Sequence, residues 1–269
     1  MTLLTNALEK WNRKSLSGKC YTAGTSVLML VAGVLILLPR TTPGTLSLFA
    51  AGPLLLFMAG FLIWIVPKLL AIGRSQVGTA PLVVVSAVLA PLCLGWARQC
   101  VGKDLQLPPQ SFDVTVGLLT VLLIPIGWAA VAASILILVF VMSVFAAMTS
   151  QVFRPLVAMF ALTPTGWLAR SLEKVEATER SAFNHGMGAF VSAAVITLLV
   201  GSYASAVLDR DVVRLAAYGL DFSYADKYPD IEPGRRIRLL DNGYVAYAER
   251  QGLDVQFDVK PLPPADKPK

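Results

Sequence analysis

Five segments of the chain are almost purely apolar, and each is long enough to cross a bilayer as a helix. They are residues 21–38, 46–66, 78–97, 114–148 and 187–208. None of them contains an internal Asp, Glu, Lys, Arg or His. A bilayer core of ~30 Å needs about 20 apolar residues of helix. The pattern therefore predicts a mainly α-helical membrane protein with about five transmembrane helices, which together form a transmembrane domain over residues 1–208.

The fourth segment is longer than a bilayer requires. Residues 114–148 would make a helix of about 52 Å at 1.5 Å per residue. It could be one long helix that tilts and kinks at Pro125 and Gly127, two short spans that meet there, or a span whose last turns pack against protein. Proline is tolerated in membrane helices as a kink, and no polar turn interrupts the segment. We therefore favour one kinked helix, and note that two spans would reverse the side of the C-terminus.

A segment between the fourth and fifth apolar runs has one apolar and one charged face. Over residues 165–183, apolar side chains recur at helical spacing and charged ones lie between them. The apolar positions are Trp167, Leu168, Leu172 and Val175. This pattern predicts an amphipathic helix that lies along the cytoplasmic membrane face or contacts a partner.

After residue 208 the pattern changes to short alternating strands. Asn242-Gly243 is a strong signal for a hairpin with a two-residue loop, because both positions of that loop need a positive φ. Such a loop would pair Leu240 with Val245. With this register, one face of the hairpin would carry Ile237, Leu239, Ala246 and Ala248.

The C-terminal residues predict a small α+β unit outside the membrane. A third strand alternates over residues 253–259, and a short helix is expected at 211–219. We therefore predict a three-stranded antiparallel sheet within residues 209–260, followed by a disordered tail at 261–269. A sheet of this size is marginal by itself, so its apolar face needs cover from the short helix, from the loop at 98–113 or from a second subunit.

Charge is distributed unevenly along the chain. The sequence is 55% hydrophobic and 15% charged, with a net charge of +6. Residues 1–208 hold 13 Lys and Arg against 6 Asp and Glu, whereas residues 209–269 hold 10 against 11. The basic residues of the membrane part flank the spans, where they orient the spans. We therefore do not expect nucleic-acid binding.

The same charges predict the sidedness of the protein. Lys and Arg in alternate compartments total ten against three, and the more basic loops of a membrane protein lie in the cytoplasm. This places the N-terminus and the loops at 67–77 and 149–186 in the cytoplasm. Five spans then place the C-terminal unit in the periplasm or outside the cell. We expect a multi-pass protein of the inner (plasma) membrane.

Residues suited to catalysis are scarce. An ionisable residue inside the membrane is the usual mark of a transport or catalytic site, and the spans contain none. His185 is the one histidine of the chain, and no metal-binding or nucleotide-binding motif is present. We predict no catalytic residue, no cofactor and no metal site, and we interpret His185 as a hydrogen-bonding residue at an interface.

Small residues recur every four positions along the fifth segment. They are Ala189, Ala193, Thr197, Gly201 and Ser205. Small residues let membrane helices approach closely. The stripe therefore predicts a helix-packing interface, either within the same bundle or between copies of a homo-oligomer.

These features favour a protein that acts by binding other proteins. The expectation is a non-enzymatic inner-membrane subunit, scaffold or immunity/exclusion-type protein that acts through helix packing and its C-terminal β unit. The alternative is an oligomeric channel, pore-forming or transport component. An enzyme acting at the membrane surface ranks third. The expected partners are the lipid bilayer and either a second copy of the chain or another membrane protein.

Overall fold

The computed structural model describes the backbone of residues 11–12, 14–37, 43–160, 166–225, 234–241 and 243–262. Side chains are described for these residues except 36, 43–50, 76–77, 153–154, 156–160 and 166–180. The helices are α1 Leu16–Leu37, α2 Pro43–Gly73, α3 Gln76–Leu105, a 3-10 turn Pro109–Ser111, α4 Asp113–Phe160, α5 Gly166–Val207 and α6 Arg210–Leu220. The strands are β1 Ser223–Tyr224, β2 Arg236–Leu240, β3 Tyr244–Gln251 and β4 Asp254–Pro261.

Helices α1 to α5 are each long and apolar enough to cross a membrane, as judged by length and composition. The five predicted helical segments are therefore confirmed as helices. Their ends differ from the prediction, because α2 continues through Pro67 to Gly73 and α3 continues past Arg98 to Leu105. A proline removes one hydrogen bond from a helix, and here the helical run continues on both sides of it.

Helix α4 is continuous over 48 residues, from Asp113 to Phe160. Its length is about 72 Å at 1.5 Å per residue. No non-helical residue separates two halves of α4, which supports the one-helix interpretation. At Gly127 an added Cβ would lie 3.2 Å from Leu89 and 3.4 Å from the sulfur of Cys93. Gly127 thus lies in close contact with α3, and a kink at Pro125 stays a prediction.

Helix α5 unites two elements that the sequence predicted separately. Its 42 residues, Gly166–Val207, include nearly all of the amphipathic segment predicted at 165–183 and most of the fifth apolar segment. Residue 165 and the side chains of residues 166–180 lie outside the described part, so the amphipathic face itself stays a prediction. No turn separates the two segments in the backbone.

The chain forms two compact units. The first contains Met1–Ala80 and Val131–Thr197, and the second contains Pro81–Ala130 and Leu198–Lys269. The second unit combines parts of α3, α4 and α5 with α6 and the sheet. The domain boundary predicted after residue 208 therefore falls inside the second unit. As a division between membrane and extramembrane residues it stays a prediction.

The C-terminal sheet has four antiparallel strands in the order β1-β2-β3-β4. The prediction of three strands is therefore wrong by one. The additional strand, β1, has two residues, and Ser223 pairs with Ile237 of β2. The turn-rich sequence after α6 indicates a short strand at Phe222–Tyr224, which the count of three left out, and β1 lies within that stretch.

The predicted register of the β2–β3 hairpin is wrong by one residue. Leu240 pairs with Tyr244, not with Val245, so the loop has three residues, 241–243. Gly243 has a φ of +79°, and its N–H donates to the carbonyl of Leu240 at 3.3 Å. Three-residue loops that end in a left-handed glycine are a common hairpin connection. Asn242 lies outside the described residues.

The shifted register changes which side chains share a face. When the pairing of two strands shifts by one residue, the side chains of one strand share a face with the other set of side chains on its partner strand. Ile237 and Val245 therefore share one face, and Leu240 shares the other face with Ala246 and Ala248. The predicted common face of Ile237, Leu239, Ala246 and Ala248 is wrong.

Strand β4 confirms the predicted third strand and extends further along the chain. Its loop from β3 has two residues, with Gly252 at a φ of +68°. Glycine at the first position is typical of a type II′ turn. The N–H of Leu262 donates to the carbonyl of Gly243 at 2.9 Å. Residues 261 and 262 therefore belong to the folded sheet, and residues 263–269 of the predicted tail lie outside the described part.

One face of the sheet packs against helix ends in a single apolar core. Buried residues of that core come from the end of α3, the start of α4, helix α6 and strands β2 to β4. Among them are Val101, Leu105, Phe112, Leu119, Val213, Ala217, Leu240, Ala246 and Val255. Two of the three predicted covers, the short helix and the loop after α3, therefore contribute to this core.

Gln106 ends α3 in the left-handed conformation, with a φ of 57°. This conformation costs an ordinary side chain about 1–2 kcal/mol, whereas glycine loses roughly 0.5–1 kcal/mol of extra chain entropy on folding. We expect Gln106→Gly to raise the free energy of unfolding by up to about 1 kcal/mol. Urea denaturation of the detergent-solubilised protein measures this change. Gln110→Gly is the control, because Gln110 is exposed and has no positive φ; equal stabilisation by both changes would contradict the prediction.

Candidate functional site

His185 packs where α1, α2 and α5 meet in the first unit. Its Nδ1 is 2.8 Å from the hydroxyl of Tyr21, in a hydrogen bond. Its ring stacks on Trp64 at a centroid distance of 4.0 Å. The ammonium of Lys68 lies 3.4 Å from the centroid of the Trp64 ring. His185 is thus a hydrogen-bonding residue between helices, in agreement with its interpretation from the sequence.

Two glycines bring α5 close to its neighbours in the first unit. An added Cβ on Gly186 would lie 2.6 Å from the Cβ of Ser143 in α4. On Gly188 it would lie 2.5 Å from the Cβ of Phe61 and 2.9 Å from the carbonyl oxygen of Phe57, both in α2. Real Cβ atoms do not approach other atoms this closely, so these positions require glycine. The predicted stripe missed both of them.

The predicted stripe of small residues divides into a buried and an exposed half. Ala189 and Ala193 are buried, with exposures of 0% and 2%. Thr197, Gly201 and Ser205 are exposed, and no atom of the described residues lies within 4 Å of a Cβ added to Gly201. The first half therefore packs within the protein, and an oligomer interface on the second half stays a prediction.

Groups that could bind a metal do not cluster in the part of the chain that the structure describes. Within it, no three side chains of His, Cys, Asp or Glu lie close enough to share an ion. His185 is engaged with the aromatic side chains of Tyr21 and Trp64. The polar features that stand out lie in the second unit, around the sheet.

Asp221 connects the end of α6 to the start of α4. Its side chain is only 4% exposed. The carboxylate accepts the N–H of Val114 at 3.3 Å, the N–H of Thr115 at 2.9 Å and the hydroxyl of Thr115. The first N–H groups of a helix have no partner within the helix. Asp221 therefore satisfies two of them and caps α4 from a position more than a hundred residues away in the chain.

Arg214 of α6 connects the sheet to the end of α3. Its Nε donates to the carbonyl of Asp104 at 3.0 Å, and its Nη1 donates to the carbonyl of Val255 in β4 at 3.2 Å. The last carbonyls of a helix lack partners inside the helix, and a cation there is favoured by the helix dipole. Arg214 thus satisfies one helix end and one strand carbonyl together.

Arg236 and Arg238 of β2 make similar contacts at the end of α6. Arg236 donates through Nη1 to the carbonyl of Tyr218 at 2.7 Å, and Arg238 donates to the carbonyl of Asp221 at 3.3 Å. The Arg236 guanidinium carbon lies 4.5 Å from the ring centroid of Tyr218 and 4.9 Å from that of Tyr224. These distances are within the range of a cation–π contact, so two rings hold the guanidinium in place.

A polar groove of about 600 Å³ opens beside Arg236. It lies where β2 begins opposite Ala248 while β3 continues to Gln251. The described lining carries four cationic side chains, Arg235, Arg236, Arg250 and Lys260, and two carboxylates, Glu249 and Asp258. Tyr218, Tyr224 and Tyr247 contribute aromatic rings.

This groove is not among the sites predicted from the sequence. Its signal was present in Arg235 and Arg236, two consecutive arginines where β2 begins that both line the groove. The residues that complete the groove come from four further elements, and only the folded register brings them together. Comparisons with protein-family models, curated proteins and solved structures found no match.

Proposed function

We propose that this protein is a non-enzymatic integral protein of the inner membrane that acts as a subunit, scaffold or immunity/exclusion-type protein. It would bind partners through its helices and through the C-terminal unit. The observation that carries the proposal is the exposure of the long helices. In the most apolar window of each, at most 17% of the residues are buried. So much exposed apolar surface fits contact with lipid and with other helices.

The exposed half of the small-residue stripe is the proposed helix interface. Thr197, Gly201 and Ser205 lie on one face of α5 at intervals of four residues, and they would let a second helix approach closely. We expect Gly201→Leu to dissociate a homo-oligomer or another bound membrane protein without unfolding the chain, because no described atom lies within 4 Å of a Cβ added at that position. Native mass spectrometry of the protein in nanodiscs measures its assembly state.

Gly95→Leu is the matched control for this test. In the described part of the chain, nothing lies within 4 Å of a Cβ added to Gly95 either, and Gly95 lies outside the stripe. The proposed interface predicts loss of the assembly in Gly201→Leu and its retention in Gly95→Leu. If the unaltered protein is a solitary monomer in nanodiscs, or if both variants behave alike, the interface is wrong.

The proposed sidedness places the N-terminus in the cytoplasm and the sheet in the periplasm or outside. The distribution of Lys and Arg among the loops supports it, as does the continuity of α4, which keeps the span count at five. A reporter fused after residue 269, active only in the periplasm, tests it directly. If the reporter shows that the C-terminus lies in the cytoplasm, the number of spans must be even.

A channel or pore-forming component is the weaker alternative. The side chains of Thr197, Ser202 and Ser205 would line the pore. Each of these hydroxyls donates to a carbonyl of its own helix, at 2.8–3.0 Å. Such internal bonds are the usual way for a hydroxyl to be accommodated in an apolar environment, so a polar pore need not be invoked. Conductance in planar bilayers that changes in Gly201→Leu would favour the channel over the proposal.

A further inference from the structure

The two units of the chain differ in charge. The first unit, residues 1–80 and 131–197, has 11 Lys and Arg against 4 Asp and Glu, whereas the second unit has 12 against 13. Where the structure describes side chains of the first unit, the charged ones are all basic. They are Lys14, Lys19, Lys68 and Arg74. The first unit is therefore complementary to an anionic partner.

These four cations lie at one end of the packed helices α1 and α2. A Cβ added to Gly60 of α2 would lie 2.9 Å from the ring of Tyr21 in α1. A Cβ added to Gly24 of α1 would lie 3.2 Å from the ring of Phe57 in α2. Residues further along α1 thus contact residues further back in α2, so the two helices are antiparallel. The start of α1 therefore lies beside the end of α2, and the four cations belong to these two helix ends.

A tryptophan beside one of the cations is typical of the membrane surface. The ammonium of Lys68 lies 3.4 Å from the centroid of the Trp64 ring, and Trp64 is partly buried against His185. Tryptophan is enriched where the membrane meets water, because one part of its ring system is apolar and the other is polar. A lysine stem extends along apolar surface and holds its charge in the polar layer. We therefore expect the ammonium of Lys68 at the level of the lipid headgroups.

Exposed apolar side chains lead along α2 to the exposed guanidinium of Arg74. Leu62, Val66 and Leu70 precede Arg74 at intervals of four residues and are 41%, 42% and 56% exposed. Residues at this interval lie on one side of a helix. A soluble anion would contact the cation and leave the apolar side chains in water. A phospholipid fits both features, because its headgroup is charged and its acyl chains are apolar.

We propose that the basic end of the first unit, formed by Lys14, Lys19, Lys68 and Arg74, binds the headgroups of anionic phospholipids. Several lipid molecules share this end, so one headgroup does not have to reach all four cations. The proposed sidedness assigns this end to the cytoplasmic leaflet, whose anionic lipids attract basic residues next to membrane helices. The inference rests on the proposed function as an integral membrane protein and adds the class of lipid that it binds.

The test titrates phosphatidylglycerol into the full-length protein in a neutral detergent. Phosphatidylcholine with the same acyl chains is the control lipid without net charge. Native mass spectrometry resolves the lipid-bound states and gives their dissociation constants. We expect phosphatidylglycerol to bind at least about fivefold more tightly than phosphatidylcholine, which corresponds to one Lys or Arg near an anionic headgroup. The preference should decrease at higher ionic strength, because salt screens exposed charges.

Two double variants assign the binding to this end of the protein. Lys68→Gln/Arg74→Gln removes two exposed cations of the basic end and is expected to weaken phosphatidylglycerol binding by at least about fivefold. Arg98→Gln/Lys103→Gln removes two exposed cations of α3 in the second unit and should leave the binding unchanged. Equal losses would show that the lipid responds to total charge, and would overturn the assignment.

A charge-conserving exchange separates charge from structure. Lys68→Arg/Arg74→Lys keeps both cations and should retain the preference for phosphatidylglycerol. If it loses as much affinity as Lys68→Gln/Arg74→Gln, the positive charges do not bind the lipid and the proposal is wrong. Circular dichroism checks that all three variants remain folded.

Other occupants and failure of the proposed function give different results. If glycerol 3-phosphate or hexaglutamate binds as tightly as phosphatidylglycerol and depends on Lys68 and Arg74, the occupant is a soluble anion or an acidic peptide and the proposal is wrong. If phosphatidylcholine and phosphatidylglycerol bind equally, this inference fails while the integral membrane protein stands. If neither lipid binds and the protein stays in solution without detergent, the proposed membrane function itself fails.

Discussion

Replacing Gly186 with alanine is expected to lower the free energy of unfolding by about 2 kcal/mol. The added Cβ would lie 2.6 Å from the Cβ of Ser143 and 3.2 Å from its Oγ. Packed carbon atoms normally stay about 3.5–4.0 Å apart, so α5 and α4 would have to move. Alanine gains only about 1 kcal/mol of helix propensity over glycine, which does not offset the clash. Unfolding of the protein in mixed micelles by increasing SDS measures the change.

A second substitution should rescue this variant. Ser143→Gly removes the two atoms, Cβ and Oγ, that would lie too close to the new methyl group. By itself Ser143→Gly is expected to destabilise, because glycine is less favourable in a helix than serine. In combination with Gly186→Ala, the loss should be smaller than the sum of the two single losses by at least about 1 kcal/mol. Additive effects would show that Gly186 and Ser143 are not in contact.

Gly201→Ala is the control for the same helix. Within the part of the chain that the structure describes, nothing lies within 4 Å of a Cβ added at Gly201, so alanine should be neutral or stabilise by up to about 1 kcal/mol through helix propensity. The same substitution, fifteen residues apart in α5, is thus expected to have opposite signs. A loss at both positions would point to a general effect of the added methyl group instead of a specific contact.

The apolar pattern predicted the helices well because lipid-facing helices need an uninterrupted run of apolar residues. It did not predict where they end. The predicted segments end just before Pro67 and Arg98, yet α2 and α3 continue beyond these residues. A helix extends past the apolar run wherever its backbone hydrogen bonds are still satisfied, and this condition leaves no apolar signal in the sequence.

The hairpin shows a different limit of sequence reasoning. Asn242-Gly243 correctly predicted the position of a turn, but glycine supplies a positive φ equally well in a two-residue or a three-residue loop. The choice between these loops decides which of Val245 and Ala246 faces α6. Both residues are fully buried, so the hydrophobic pattern of β3 gave no basis for the choice.

The candidate sites depended on contacts between distant residues. The stripe in α5 identified a packing helix, yet the close approaches occur at Gly186 and Gly188, where the neighbouring helices supply Ser143 and Phe61. Small residues along a helix are common, and only the facing helix shows which of them are in contact. The groove likewise depends on the strand register and on α6, which the spacing of residues in the sequence does not specify.

Asp221→Ala is expected to lower the free energy of unfolding by about 3 kcal/mol or more. The carboxylate is buried and accepts three hydrogen bonds, from Val114 N–H, Thr115 N–H and the Thr115 hydroxyl. Alanine would leave these donors without a partner in a site closed to water. An unsatisfied buried donor costs about 1–3 kcal/mol, and helix α4 would also lose its cap. SDS or urea unfolding in micelles measures the loss.

Two controls separate the buried cap from the general removal of a negative charge. Asp258→Ala removes an exposed carboxylate whose partner, Lys260, lies 3.4 Å away. An exposed ion pair contributes about 0–1 kcal/mol, so this variant should remain close to the unaltered protein. Asp221→Asn keeps one acceptor oxygen and should lose less stability than Asp221→Ala.

Thr115, which donates two hydrogen bonds to Asp221, provides a second test of the cap. Thr115→Val removes the hydroxyl and keeps the N–H, so it should cost less than Asp221→Ala. Once Asp221 is alanine, Thr115→Val should cost little or even restore stability, since it removes a donor left without an acceptor. The double-mutant cycle therefore predicts strong coupling between residues that lie 106 positions apart. Independent effects would mean that Asp221 does not cap α4.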